Sequence, residues 1–233
     1  ASRGLGDVYK RQLESVAELA LRMAIRDGEM KVADEIFEKA FETFNSGESQ
    51  KWDSATIERV ARHEAGHAFL CWHGGETPSY VTVVARANHG GYMQHGDNEE
   101  KTIYTKRELI GRIRTSLGGR AAEMVYYGSE DGISTGAAGD LETATSLAKR
   151  LICSYGMVEE FGLAAVDPNS VSGELSNEIR KSINNILDIE LKKAIRIISE
   201  NREAVDKLIE KLLKDDYAAG DEIDAIFASC IKG

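Results

Sequence analysis

The chain has 233 residues, of which 42% are hydrophobic and 29% are charged, a composition typical of a folded globular protein with a sizeable core. Its formal net charge of -10 argues against nucleic-acid binding as the main role, because neutralising phosphates requires a basic surface. Three scattered cysteines fit a reducing compartment and a cytoplasmic location, and neither a signal peptide nor an apolar run of roughly 20 residues is visible.

The N-terminal quarter is predicted to contain two helices. No regular pattern is found in residues 1–12, which we interpret as an assembly scar on a chain that is itself a fragment. Apolar residues recur at helical spacing over residues 13–26 and again over 31–44. A polar linker then runs to about residue 52.

A helix predicted from Asp53 or Ser54 to about His73 carries the most informative motif, His63-Glu64-x-x-His67. Two imidazoles four residues apart project from the same face of a helix, so both can bind one Zn²⁺. A glutamate next to the first histidine is suited to take a proton from a water molecule at the metal. The motif therefore predicts a zinc-dependent peptidase with Glu64 as its general base.

The rest of the chain is predicted to be mostly helical. Residues 79–87 show an alternating pattern and are rich in β-branched side chains, which indicates a strand. Residues 92–94 are predicted to return as a short strand. Further helices are predicted at 105–127, 138–155, 174–200, 202–214 and 221–231. The expected fold class is mainly α, a helical zinc peptidase domain with one short β-hairpin or small sheet near the active site. We expect an extended substrate to add to the edge of the strand at 79–87.

A catalytic zinc requires a third protein ligand, and three residues qualify. His73 would need a glycine where Leu70 stands to swing the chain back to the metal, so geometry disfavours it. Glu123 lies on a helix downstream of the motif, as in sites built from two histidines and one glutamate. Asp140 opens a helix after a flexible loop, and spacing alone does not choose between it and Glu123.

Five sequence blocks resemble those of a known family, and this resemblance distinguishes between the candidate third ligands. The blocks are HEAGHA at 63–68, IYTKRELI at 103–110, LGGRAAE at 117–123, STGAAGDLETAT at 134–145 and YGM at 155–157. In order and spacing they resemble the FtsH-type ATP-dependent zinc metalloprotease family. The resemblance implies that His63, His67 and Asp140 bind the zinc and that Glu64 is the base. It also implies that Glu123 orients a ligand histidine from outside the metal's coordination shell.

The same resemblance runs from residue 13 to about 160 and more loosely to the end. It implies that residues 13–48 are the last helices of an AAA ATPase small subdomain and that residues 49–233 are the zinc metallopeptidase domain. The implied partners are an AAA ATPase module of the same full-length chain, further copies in a hexamer, and unfolded or damaged polypeptides. An N-terminal anchor missing from this sequence would hold the protein at the cytoplasmic face of a membrane. The alternative function is a catalytically silent, metal-stabilised oligomerisation domain of an AAA protein.

Overall fold

The computed structural model describes residues 2–33, 36–37, 40, 43–44, 52–84, 91–95, 102–128, 130, 132–167 and 172–230. Contacts between their Cα atoms divide them into two units. One comprises the described residues up to Trp52 together with Val84, and the other comprises Asp53–Val83 and the described residues from Gly91 onward.

The first unit contains helix α1 (Ser2–Asp27). Its small core is formed by Val16, Ala20 and Met23 of α1 with Ala40. The helix begins before the predicted start at residue 13. The sequence did not predict residues 2–12 as helix because they lack the apolar periodicity that indicates one. Much of the second predicted helix, and the linker that follows it, lies outside the described residues.

The second unit is mainly α with one small antiparallel sheet, and it confirms the predicted fold class. Its elements in chain order are α2 (Ser54–His73), β1 (Tyr80–Thr82), β2 (Tyr92–Gln94), α3 (Lys106–Ser116), α4 (Gly118–Tyr127), α5 (Ala138–Cys153), α6 (Glu174–Glu200), α7 (Arg202–Asp215), β3 (Tyr217–Ala219) and α8 (Gly220–Cys230). Single turns of 3₁₀ helix lie at Thr135–Ala137 and Glu159–Phe161. Among the described helices, none combines the length and apolarity that a membrane span requires.

Helix α2 is fixed at both ends by local hydrogen bonds. The side chain of Asp53 accepts a hydrogen bond from the backbone N–H of Thr56 at 3.0 Å, which caps the first turn. At the other end Gly75 has a φ of +90°, and the N–H of Glu76 donates to the carbonyl of Cys71 at 3.1 Å. This Schellman motif requires a residue without a Cβ and turns the chain back over the end of the helix.

The second half of α2 is buried on nearly every side. Phe69 is fully buried and meets Phe227 of α8 edge to face, with ring centroids 5.1 Å apart. Leu208 and Leu212 of α7 belong to the same core cluster. A helix enclosed in this way holds the direction of its side chains, which a metal site requires.

The sheet has the strand order β2-β1-β3, with all pairs antiparallel. Met93, Val81 and Ala218 lie opposite one another and are buried, so one face of the sheet packs on the core. The expectation that substrate adds to the edge of the strand at 79–87 is wrong for β1, because both of its edges are already paired. Among the described strands, β2 is the edge on the other side from β3.

The predicted helix at 105–127 is two helices, interrupted at Leu117. A capping box fixes the start of α3: Thr105 and Glu108 exchange side-chain and backbone hydrogen bonds. At the interruption, the carbonyl of Thr115 accepts a hydrogen bond from the ring of His67 at 2.7 Å. The break therefore lies where α3 contributes to the candidate metal site.

A buried ion pair joins α3 to α6. Arg114 of α3 donates to Glu190 through Nε at 2.7 Å and through Nη2 at 2.6 Å, and Lys193 reaches the other carboxylate oxygen at 2.7 Å. The Glu190 side chain is 4% exposed and that of Arg114 is 24% exposed. Removing the carboxylate would leave the guanidinium poorly compensated in a low-dielectric setting.

We therefore expect Glu190→Ala to lower the free energy of unfolding by about 3 kcal/mol, measured by urea denaturation. Lys193→Ala is the matched control, because that side chain is 44% exposed and its loss is expected to cost less than about 1 kcal/mol. Equal effects of the two substitutions would contradict a structural role for the buried pair.

Candidate metal centre

Three ligand atoms converge between α2 and the first turn of α5. The Nε2 atoms of His63 and His67 lie 3.2 Å apart, and Asp140 Oδ2 lies 3.1 Å from the first and 3.3 Å from the second. Zinc with ligands at about 2.0–2.1 Å in a tetrahedron separates neighbouring ligand atoms by about 3.3–3.4 Å. The triangle therefore has the dimensions of one face of a zinc coordination tetrahedron.

The Nδ1 atoms of both imidazoles, which face away from the triangle, are hydrogen-bonded. His67 Nδ1 lies 2.7 Å from the carbonyl oxygen of Thr115, which can only accept, so the ring must donate from this atom. His63 Nδ1 lies 3.3 Å from Oε1 of Glu123 and donates to that carboxylate. In both rings the proton on Nδ1 leaves the Nε2 lone pair pointing into the triangle. Metal-binding histidines are usually held in this way.

Glu123 connects the histidine side of the site to the segment that carries Asp140. It is 1% exposed, and it accepts hydrogen bonds from both the backbone N–H and the hydroxyl of Ser134 as well as from His63. Ser134 in turn accepts from the N–H of Gly136 at 3.1 Å and caps the 3₁₀ turn that leads into α5. One buried carboxylate thus positions both a histidine ring and the loop before the aspartate.

Glycines allow α2 and α4 to approach until their backbones touch. A Cβ on Gly66 would lie 2.4 Å from the carbonyl oxygen of Gly118, and a Cβ on Gly118 would lie 2.8 Å from that of Gly66. A Cβ on Gly119 would lie 2.2 Å from Nε2 of His63. The space for the His63 ring is therefore made by the missing side chain of Gly119.

Substituting Gly119→Ala should displace the His63 ring and weaken zinc binding at least about tenfold, by analogy with the loss of an orienting contact. Gly111→Ala on α3 is the matched control, since nothing lies within 4 Å of the added methyl group. It should leave zinc affinity unchanged and stabilise α3 by about 0.5–1 kcal/mol. Zinc affinity by competition with a chromophoric chelator measures the effect. Wild-type affinity in Gly119→Ala would contradict the assigned steric role.

The electrostatics of the site favour a positive charge among these groups. Burial alone would lower the pKa of His63, but its hydrogen bonds with Asp140 and Glu123 and the charge of Glu64 raise the pKa to about 10. Burial would raise the pKa of Asp140, yet its bonds with His63 and His67 hold that pKa well below the usual range. The pKa of Glu123 is likewise lowered against the effect of burial by the groups that donate to it. Without a metal, this charge would be a proton on the His63 ring. A bound dication would replace that proton and leave both imidazoles neutral, with their Nε2 lone pairs directed at the ion.

The other residues considered from the sequence occupy different places. Glu64 is 9% exposed, and a Cβ built on Gly91, just before β2, would lie 3.1 Å from Oε1 of Glu64. The Glu64 carboxylate therefore faces the β2 side of α2. His73 is the exposed last residue of α2 and tilts against Phe69 with ring centroids 6.0 Å apart. It belongs to neither metal-ligand group found among the described residues.

The chain is similar in sequence to known zinc peptidases along most of its length. The profile of peptidase family M41 matches residues 51–226. The ATP-dependent zinc metalloprotease FtsH of Mycoplasmopsis synoviae is 34% identical over 233 residues, which cover 92% of this chain and 35% of that protein. The protein of the same name from Thermotoga maritima is 30% identical, over 93% of this chain and 38% of its own length.

A chloroplast relative shows similar conservation over a shorter stretch. The ATP-dependent zinc metalloprotease FTSH 6, chloroplastic, of Arabidopsis thaliana is 36% identical over 185 residues, 72% of this chain and 27% of that protein. This chain therefore spans about a third of the length of the curated relatives that it matches.

Proposed function

Because this chain belongs to peptidase family M41, as a zinc metalloprotease domain of the FtsH type, we propose that it hydrolyses peptide bonds at a zinc ion held by His63, His67 and Asp140. The observation that supports this site is the convergence of three lone-pair atoms within 3.1–3.3 Å. Each imidazole donates a hydrogen bond from Nδ1 to an acceptor, so the lone pair on its Nε2 is directed at a shared centre.

These residues fit zinc by donor type as well as by distance. Two neutral imidazoles and one carboxylate are a ligand set found in catalytic zinc sites, which keep a fourth position open. Zinc held there would supply Lewis acidity toward a water molecule and the scissile carbonyl. Glu123 would act as a positioning residue, since it holds the tautomer of His63 and the approach to Asp140.

The proposed general base is Glu64. It follows the first histidine on α2 and is largely buried, so a proton that it accepts would be retained near the reacting groups. In the proposed cycle its carboxylate takes the proton of the attacking water and then gives it to the leaving amine. The same group therefore serves first as a base and then as an acid.

We propose that an extended substrate pairs with β2 rather than with β1. Both edges of β1 are used by its neighbours in the sheet, whereas β2 pairs with β1 alone among the described strands. Gly91, just before β2, packs against Glu64, so a chain added along this strand would pass the proposed base. Backbone pairing would give affinity with little dependence on side chains, which suits unfolded or damaged polypeptides.

The wider setting rests on the relatives. We propose that the complete protein carries an AAA ATPase module before this domain, that it forms a homo-oligomer, a hexamer by family resemblance, and that residues 13–48 belong to the end of that module. The metallopeptidase domain would then comprise residues 49–233. The cytoplasmic location, with a membrane anchor outside this sequence, stays a prediction.

The test is cleavage of a short unstructured fluorogenic peptide, which needs no unfolding by an ATPase. We expect cleavage that a chelator abolishes and that added Zn²⁺ restores. A chain that is folded and zinc-loaded but cleaves neither this peptide nor unfolded casein would instead support the alternative, a silent metal-stabilised oligomerisation domain. Sedimentation of the same sample with and without chelator then shows whether the metal supports assembly.

A further inference from the structure

A second group of metal-binding side chains lies at the C-terminal end of α2. The Sγ atom of Cys71 is 3.7 Å from Nδ1 of His95, and that nitrogen is 4.0 Å from Oε2 of Glu76. All three ligand atoms lie within 4.8 Å of one another. We propose that Cys71, Glu76 and His95 form a second metal site that takes a transition-metal dication such as Zn²⁺ or Co²⁺.

The distances suit a tetrahedral ion with modest adjustment. Zinc bonds of about 2.3 Å to sulfur and 2.0–2.1 Å to nitrogen place those two atoms about 3.6 Å apart, close to the separation of Cys71 and His95. The carboxylate of Glu76 has to approach the His95 nitrogen by about 0.6–0.7 Å. It is free to do so, because the Glu76 side chain is 33% exposed and that of His95 is 49% exposed.

The backbone already brings these residues together. The Schellman motif that ends α2 joins the N–H of Glu76 to the carbonyl of Cys71. Ser79 holds the end of β2, since its N–H donates to the carbonyl of Gln94 at 2.8 Å and its hydroxyl donates to the carbonyl of His95 at 3.1 Å. Two loops and a helix end are thus fixed around one point, which reduces the entropy lost on binding an ion.

The donor set defines the class of ion. A thiolate and an imidazole favour zinc, cobalt and similar transition metals over magnesium or calcium, which prefer oxygen ligands. Burial raises the pKa of the Cys71 thiol to about 12, and the charge of Glu76 adds to this effect. A cation bound to the sulfur would displace that proton. The Glu76 carboxylate would also offset the positive charge of Arg112, which acts on both Cys71 and His95. The exposed sides of His95 and Glu76 leave a path for entry and a position for water.

The second site differs from the first in location and chemistry. Cys71 lies four residues after His67, so the two sites would be neighbours, one helical turn apart along α2. The first site contains no sulfur, whereas the second contains a thiol. An ion in the second site would join the end of β2 to the end of α2.

That difference gives a selective test with Co²⁺, because only a cobalt–thiolate bond produces a strong charge-transfer absorption in the near ultraviolet. We expect the parent chain to bind two equivalents of Co²⁺ and to show this band. Cys71→Ala should bind one equivalent fewer and lose the band. Cys153→Ala, which removes another buried thiol, should still bind two equivalents and show the band. Asp140→Asn should keep the band while losing the other equivalent.

His95→Gln provides a variant that does not disturb the core, because this side chain is half exposed. It should weaken formation of the band at least about tenfold, as expected for the loss of a contact to a bound metal. The proposal is overturned if the parent shows no thiolate band at saturating Co²⁺, or if the band persists in Cys71→Ala. Since the band reports sulfur ligation and not cleavage, its absence would leave the proposed peptidase site untouched.

Discussion

Replacing Glu64 with glutamine should reduce peptide cleavage by about 10²–10⁴-fold or more while leaving bound zinc at the parent level. The amide keeps the size of the side chain but cannot accept a proton from water. Glu64 contributes no atom to the ligand triangle, so metal binding should persist. Initial rates on a fluorogenic peptide and zinc content of the same sample measure the two effects together.

The matched control is Glu58→Gln on the same helix. Glu58 pairs with Arg62, and its side chain is 44% exposed, so its loss should leave the rate within about twofold of the parent, as for other surface ion pairs. If Glu64→Gln retained full activity with zinc bound, the assignment of Glu64 as the base would be wrong.

Asp140→Asn should produce the largest loss of zinc among substitutions outside the His-Glu-x-x-His motif. The substitution removes the only negative charge in the ligand triangle and leaves two neutral imidazoles. Zinc content after dialysis against a weak chelator should fall to near zero, and cleavage should fall with it. Glu142→Gln, an exposed residue on the same helix, should retain the metal.

Two further variants separate the alternatives that the sequence left open. Glu123→Gln should weaken zinc binding by about 10–100-fold, the range for a residue that orients a ligand from outside the coordination shell. His73→Ala should retain parent affinity, because that ring lies at the exposed end of α2. If Asp140→Asn kept its zinc while Glu123→Gln lost it, the third ligand would be the glutamate.

The helices of the second unit were predictable because each has a long apolar periodicity. The break at Leu117 was not, since nothing in the local pattern shows that the carbonyl of Thr115 is needed by a histidine 48 residues earlier. Strand β3 was also missed. Of its residues, Tyr-Ala-Ala, only the tyrosine favours strands, and three residues are too few to show an alternating pattern. The strand forms by pairing with β1, far away along the chain.

The candidate site divides in the same way. Glu64 and the two histidines share one helical turn, so spacing alone brings them together. Asp140 is 77 residues from His63, and spacing could not rank it against Glu123; only the resemblance to a known family did so. The group at Cys71, Glu76 and His95 was not predicted, because its members come from a helix, a turn and the end of a strand.

The contact between α2 and α4 has a consequence for protein engineering. Helices usually pack with their axes about 8–10 Å apart, at a distance set by the side chains between them. Here the helices meet through Gly66 and Gly118, and Gly119 leaves the volume that the His63 ring fills. Grafting the His-Glu-x-x-His motif onto an ordinary helical bundle would therefore not reproduce this site. The three glycines would have to be transplanted with it, because a Cβ at any of them would overlap the partner helix or the His63 ring.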